Sequence, residues 1–390
     1  MSLLFRRSPR RARKVRLAIA VEPRQLALVA FRMPFSEGGQ PVILLRLERR
    51  VPSGGRSEAY VRHLQEFLFE AIKRLELIPE RTVIAVGPNF GSVSLGHWCA
   101  LPSEVPVPLA KARAGSGPED DESDKDKSAW FADPVRISAD GYVLPIPPDR
   151  GLYAREWCAD AVVLSVSETV VKGLTALRHS FGGMLIEFIP PETAHAFAAV
   201  TGLRFVNGLM VVVNEYDSAV LLFRDSHPKS ANALAGLVGV TRFPLGAAHF
   251  YREVASRAKA PPREGVRLIE AYARNELEGE RADGVRFATE DVGKRWKVYF
   301  EQALDGFYHI GPLPGGTMLT GLGALIPELR KILQDSAWLE KRSDMSESSV
   351  RVMRAIDVFG GNSLNGTFAG PEGYGLAALV FYTVHHERIF

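Results

Sequence analysis

The stretch Met318-Leu319-Thr320-Gly321-Leu322-Gly323-Ala324-Leu325-Ile326-Pro327-Glu328-Leu329 joins strand-prone residues, a glycine turn and an apolar-periodic helix. Gly321 and Gly323 place no side chain between backbone and ligand, so a flat ring or a phosphate could approach closely. Pro327 suits a first helical turn, where a missing N–H costs nothing. A strand–glycine–helix junction holds nucleotides in many α/β folds, and an ordinary tight turn is the plain alternative. No lysine follows the glycines and no third glycine completes GxGxxG, so neither common phosphate loop is spelled.

Other chemistry-bearing residues point less far. His385-His386-Glu387 offers adjacent histidines rather than an i,i+4 pair, and no GxSxG elbow accompanies the serines. Gly360-Gly361-Asn362 reads as a loop, and His97-Trp98-Cys99 as strand residues. The two cysteines, Cys99 and Cys158, have no CxxC neighbour. They predict neither a zinc site nor a disulfide framework, which suits a reducing cytosol. No catalytic residue and no metal ligand is expected.

The elements that would position the glycine turn follow from periodicity. Leu17 to Phe31, broken at Glu22-Pro23-Arg24, predicts a β-hairpin, with Val42 to Leu47 as a third strand. Tyr60, Leu64, Phe67, Leu68, Ala71 and Leu75 share one helical face, and Thr82 to Val86 reads as a buried strand. Ala161–Ser165, Glu168–Leu177, Leu185–Phe188 and Glu192–Val200 form a βαβα run, which implies parallel strands with crossover helices. Leu209–Val213 and Ala219–Phe223 predict a second hairpin, hinged at Asn214-Glu215-Tyr216-Asp217. A strand near Val240–Phe243 and helices near Ala248–Arg257, Val266–Glu278 and Lys294–Phe307 follow. The layout thus occurs twice, as two βββαβα halves.

This gives a division of the chain into a basic tail (1–16), a first half (17–88 and 162–205), an inserted α+β subdomain (89–161) and a second half (206–390). Within the insert, 114–127 is polar and reads as a mobile loop. At 390 residues, 46% hydrophobic and 24% charged, the chain is long enough for about two globular domains. Its net charge of +3 conceals seven positive charges in residues 1–16, which leaves the remainder at −4. The basic character is a tail rather than a folded basic face, which argues against nucleic-acid reading. Leu3, Leu4 and Phe5 precede Arg6, Arg7, Arg10 and Arg11, an apolar tip and basic cluster suited to peripheral contact with anionic lipid. A solvated terminus is the plain alternative. No apolar run is long enough to span a bilayer.

Taken together, these features resemble the bacterial actin-like proteins FtsA (cell division) and PilM (type IV pilus assembly). Leu319-Thr320-Gly321-Leu322-Gly323-Ala324 is similar to the family's adenosine motif, L-T-G-G-x-A. Phe243-Pro244-Leu245-Gly246 before a helix is similar to its P-L-G segment. The resemblance implies the actin/Hsp70-like ATPase fold and a nucleotide cleft between the halves, with Gly246, Gly321, Leu322, Gly323 and Ala324 as binding positions. The departures lie in the phosphate cradles. The first hairpin reads Ala20-Val21-Glu22-Pro23 where the family carries D-I-G, and the second reads Asn214-Glu215-Tyr216-Asp217, with Tyr216 where phosphate would sit. ATP is thus a weak candidate ligand, and magnesium lacks its expected ligands.

The resemblance implies a degenerate actin-like scaffold of the FtsA type, a pseudo-ATPase on the cytoplasmic membrane face. Its partners would be a tubulin-like division protein or cytoplasmic tails of membrane proteins, and self-association is a further expectation. The alternatives are a PilM-like pilus component and an active ATPase or kinase of the superfamily. A C-terminal amphipathic membrane helix is not expected, which shifts any anchoring to residues 1–16.

Overall fold

Val15–Glu22 (β1) and Gln25–Arg32 (β2) pair antiparallel about a Pro23-Arg24 turn, and Val42–Arg50 (β3) continues the sheet beside β2. Arg81–Val86 (β4) runs parallel to β1, and Leu185–Ile189 (β9) runs parallel to β4. The structure is a computed structural model. It describes residues 15–386 other than 34–38, 52–56, 88–89, 101, 107–126, 145–151, 225–233, 235, 336–337, 339–348, 362–363 and 365.

Period-two alternation gives β1 two apolar faces. Leu17, Ile19 and Val21 face a cluster with Tyr60, Leu64, Phe67 and Leu68 of Ser57–Leu75 (α1), while Ala18 lies in a different, central core. Nearly unbroken burial along β1 is what a sheet covered on both sides requires.

The second half repeats the plan. Gly208–Val213 (β10), Ser218–Phe223 (β11) and Leu237–Phe243 (β12) make the antiparallel part, and Gly316–Gly321 (β13) and Ser349–Val352 (β14) make the parallel part. The sheet orders are β3-β2-β1-β4-β9 and β12-β11-β10-β13-β14. Both follow the same sequence of antiparallel and parallel pairings. Ala247–Arg257 (α4), Pro262–Ala273 (α5), Gly279–Asp305 (α6) and Pro327–Gln334 (α7) follow the three antiparallel strands. Residues from α4 to α7 cover the outer face of this sheet, with Trp296 and Phe300 stacked at its centre.

Between the sheets lie Pro191–Phe197 (α3), its continuation Ala198–Gly202, and Tyr374–His385 (α9). They share one core with Val29 and Phe31 of the first sheet and Met210 and Val212 of the second. Ten residues of α9, from Tyr374 to Val384, are buried. The last apolar segment is therefore a core helix, preceded by a short helix at Ala355–Val358 (α8).

The insert differs from expectation in its strands. Gly91–Cys99 (β5), Lys127–Ala139 (β6), Tyr142–Leu144 (β7) and Trp157–Ser167 (β8) form a separate antiparallel sheet in the order β5-β8-β6-β7. Residues 161–165 thus do not pair in parallel with 185–188, as the βαβα reading expected; they pair antiparallel with β5 and β6 before Glu168–Ser180 (α2) begins. An apolar run records that a strand is buried, not which strand it joins. The cysteines are a second correction: Cys99 and Cys158 are opposite one another across β5 and β8 and are joined as a disulfide. The tail boundary is a third. Val15 and Arg16 belong to β1, and Arg16 is buried, its Nη1 donating to the Thr383 carbonyl at 2.8 Å. The expected membrane residues Leu3 to Arg11, the loop 114–126 and Glu387 lie outside the described residues.

Candidate functional site

The two hairpin turns meet between the halves, where Glu22 and Arg24 of the first and Glu215 and Tyr216 of the second line one cleft. In the second turn Asn214 and Asp217 are both bonded within the chain. The Asn214 side-chain amide donates to Asp217 Oδ1 at 2.7 Å, and the Asn214 N–H donates to the Asp217 carbonyl at 2.9 Å. Arg242 on β12 donates to Asp217 Oδ2 at 3.3 Å and also to Glu192 of α3. Glu192 is fully buried, so this bridge ties the first half to the second at the cleft floor.

The α4 N-terminus lies directly on this turn. Ala247 and Ala248 N–H groups donate to the Asn214 and Glu215 carbonyls at 2.9 and 2.7 Å. The start of a helix attracts anions because such donors are otherwise unused; these two are used. Gly246 caps the helix, and a Cβ there would stand 2.5 Å from the Asn214 carbonyl oxygen. The glycine is required by turn-to-helix packing.

The first turn is electrostatically different. Among the described residues the Glu22 carboxyl has no hydrogen bond or ion pair, while its backbone pairs with Gln25. Burial, with Glu215, Asp217 and Glu48 nearby, pushes its carboxyl up to about 7. Arg24 instead sets its guanidinium over the Tyr216 ring, 4.8 Å from the centroid, and so spans from one turn to the other. Behind this contact a cavity of about 50 Å³ is lined by Ala20, Glu22, His195, Asp217 and Arg242. That is room for one or two water molecules. His195 is buried there, and burial together with the positive charge of Arg242 lowers its imidazole to about 3, so it is neutral.

Outside the contact the cleft widens to about 910 Å³, with Tyr251, Arg252 and Arg274 on one side and Leu322 and Leu325 at the glycine turn. The turn itself is explained by close packing. Gly321 has φ +82°, and a Cβ there would stand 2.5 Å from the Val213 carbonyl oxygen. A Cβ on Gly323 would stand 2.4 Å from the Val213 side chain.

No protein-family model matches the sequence, and no curated protein matches it. Solved structures do match in three dimensions. The PilM–PilN type IV pilus biogenesis complex superposes with a TM-score of 0.55 at 15% identity, covering 94% of this chain and 98% of that one. MreB 5 of Spiroplasma citri, solved bound to AMPPNP, gives a TM-score of 0.50 at 8% identity, with 96% and 97% covered. The chain has an actin-like ATPase fold.

Within the actin-like cleft the expected binding positions separate. Leu322 lines the wide part of the cleft, whereas Gly321 and Gly323 are packed against β10, and Ala324 is partly buried against the second-half core. Gly246 is beneath the second turn. Tyr216 lines the wide cleft with its ring against Arg24 of the first turn. Sequence reading missed Arg24, Glu192 and Arg242, whose partners are distant in the chain. Only a suspicion of charge at strand ends could have found them.

Proposed function

We propose that this chain is an actin-fold assembly scaffold of the PilM kind, which holds a segment of a membrane-protein partner and does not turn over ATP efficiently. The observation that carries it is that the groups around the two turns are already engaged: the Arg24–Tyr216 contact spans the turns, while the Ala247 and Ala248 amides and the Asp217 carboxylate are bonded within the chain. Phosphoryl transfer depends on positioned phosphates and metal, and these groups are the ones that would have to supply both. The pilus reading takes precedence over the division reading because a PilM–PilN complex is among the structural matches. A place on the inner membrane face belongs to the same proposal; no helix among the described residues is long and apolar enough to cross a membrane.

Calorimetric titration with ATP and magnesium, run alongside a phosphate-release assay, tests this reading. Little heat and no turnover are expected; saturable binding with turnover would overturn it. A second reading, a nucleotide held through its adenosine end alone, is favoured by the size of the outer cleft and its Leu322–Leu325 wall. It predicts that adenosine and ATP bind equally weakly in the same titration.

A further inference from the structure

The small sheet carries a grid of chemistry-bearing side chains. Across β5 and β8, His97 is opposite Asp160 and Cys99 is opposite Cys158; β6 adds Arg136 opposite Asp160 and Ser138 opposite Cys158. Residues two apart on a strand share a face, so all six stand on one side of the sheet. The Ala100 N–H donates to the Trp157 carbonyl at 2.7 Å, which makes that neighbouring pair the hydrogen-bonded one. Cys99 and Cys158 therefore form the close, non-hydrogen-bonded pair, with Cα atoms 4.0 Å apart.

His97 is already oriented toward the sulfurs. Its Nδ1–H donates to Asp160 Oδ1 at 2.6 Å, and Nε2 is 3.5 Å from Cys99 Sγ. Arg136 Nε donates to the other Asp160 oxygen at 2.5 Å and holds the carboxylate in place. One ligand atom from each of His97, Cys99 and Cys158 lies within 4.8 Å of the others.

We propose that the reduced form of this cluster binds one zinc ion through His97 Nε2 and the Cys99 and Cys158 thiolates, with a fourth position open to solvent. Two thiolates and an imidazole are a ligand set that zinc favours. With Zn–S about 2.3 Å and Zn–N about 2.0–2.1 Å, tetrahedral ligand atoms stand roughly 3.5–3.8 Å apart, and the His97–Cys99 spacing of 3.5 Å already meets this. Asp160 supplies the carboxylate that fixes the tautomer and orientation of a zinc-binding histidine. The fourth position faces a hollow of about 230 Å³ lined by Arg136, Ser138 and Gly141.

The two states interconvert by a balanced exchange. A dithiol reductant gives two electrons and two protons to the Cys99–Cys158 bond and becomes a disulfide itself, leaving two thiols. Zinc then displaces one proton from each thiol. The inference goes beyond the scaffold reading and does not rest on it.

The full-length protein is reduced with a phosphine under nitrogen and titrated with cobalt(II), then zinc. The expected result is one equivalent of cobalt with thiolate charge-transfer and tetrahedral absorption, displaced by zinc, and none in unreduced protein. Cys99→Ser or Cys158→Ser abolishes the signal, and Asp160→Asn weakens affinity about 10–100-fold. Ser94→Ala, on the other face of β5, leaves it unchanged. Circular dichroism confirms that each variant is folded. Reduced protein that takes up no more cobalt than the Cys99→Ser/Cys158→Ser double variant would overturn the proposal, as would full-strength binding by His97→Ala.

Discussion

The two hairpin turns hold equivalent places in sheets of the same strand order, yet one is neutralised and the other is not. In the second turn Asp217 is bonded by Asn214 and Arg242, and Arg242 also donates to one oxygen of Glu192. In the first turn Glu22 has three carboxylates near it and no cation bonded to it, while Arg24, two residues away, stacks on Tyr216. A duplicated backbone therefore fixes where the turns meet but not how their charge is balanced. The second turn behaves as structural cement. The first is an acidic site whose carboxyl keeps its proton up to about pH 7.

Of the substitutions that test this contrast, Arg242→Met has the largest expected effect. It leaves Glu192 and Asp217 without their cation in a buried place, and removing one partner of such a pair costs about 3–5 kcal/mol. Urea unfolding of variant and parent measures it, and matching midpoints would show that the bridge does not stabilise the cleft floor.

Glu22→Gln comes next and carries the opposite sign. The folded-state carboxyl titrates near 7, above its ordinary value of 4.5, so the folded state binds more protons between these values. Stability contributed by the protonated form is present below about 4.5 and is lost as pH rises through 7. Gln removes that loss, so the variant is more stable than the parent above pH 7 by up to about 3 kcal/mol, and equal to it near pH 4. His195 works the other way: its lowered value means that stability is lost as pH falls below about 6.5. Melting temperature across pH 4–9 separates the two limbs, and a Glu22→Gln curve parallel to the parent's would refute the raised carboxyl.

Gly323→Ala tests the glycine turn. Its new methyl meets the Val213 side chain, and overpacking of this kind costs about 1–3 kcal/mol. A neutral result in chemical denaturation would leave the close-packing explanation without support. The smallest effect belongs to Arg24→Ala, where an exposed cation–π contact contributes about 0.5–1 kcal/mol. A larger loss there than in Arg242→Met would reverse the ranking of the two turns.

The fold was legible where a local period carries the signal. The Leu17–Phe31 and Leu209–Phe223 hairpins, the Tyr60–Leu75 helical face and the turn into Pro327 all appear close to where the side-chain pattern placed them. What failed was pairing over distance. The apolar run at 161–165 was equally compatible with a parallel crossover and with the small antiparallel sheet that it joins. Cys99 and Cys158 are 59 residues apart, and no CxxC spacing announces register partners on neighbouring strands. Arg242 and Glu192 are separated by 50 residues. The glycines at 321 and 323 were visible, but their neighbour Val213 was not, so a ligand stood in the place of a packing partner.

The placement of α9 has a consequence for synthesis. The inner face of the first sheet is covered by a helix whose Thr383 lies 367 residues beyond its partner Arg16. At about 5–20 residues per second, on the order of tens of seconds separate the translation of β1 from that of its cover. During that interval Ala18, Val29 and Phe31 belong to a nascent sheet with an unfinished core. A chain stalled before α9 lacks the helix that covers this face of the first sheet.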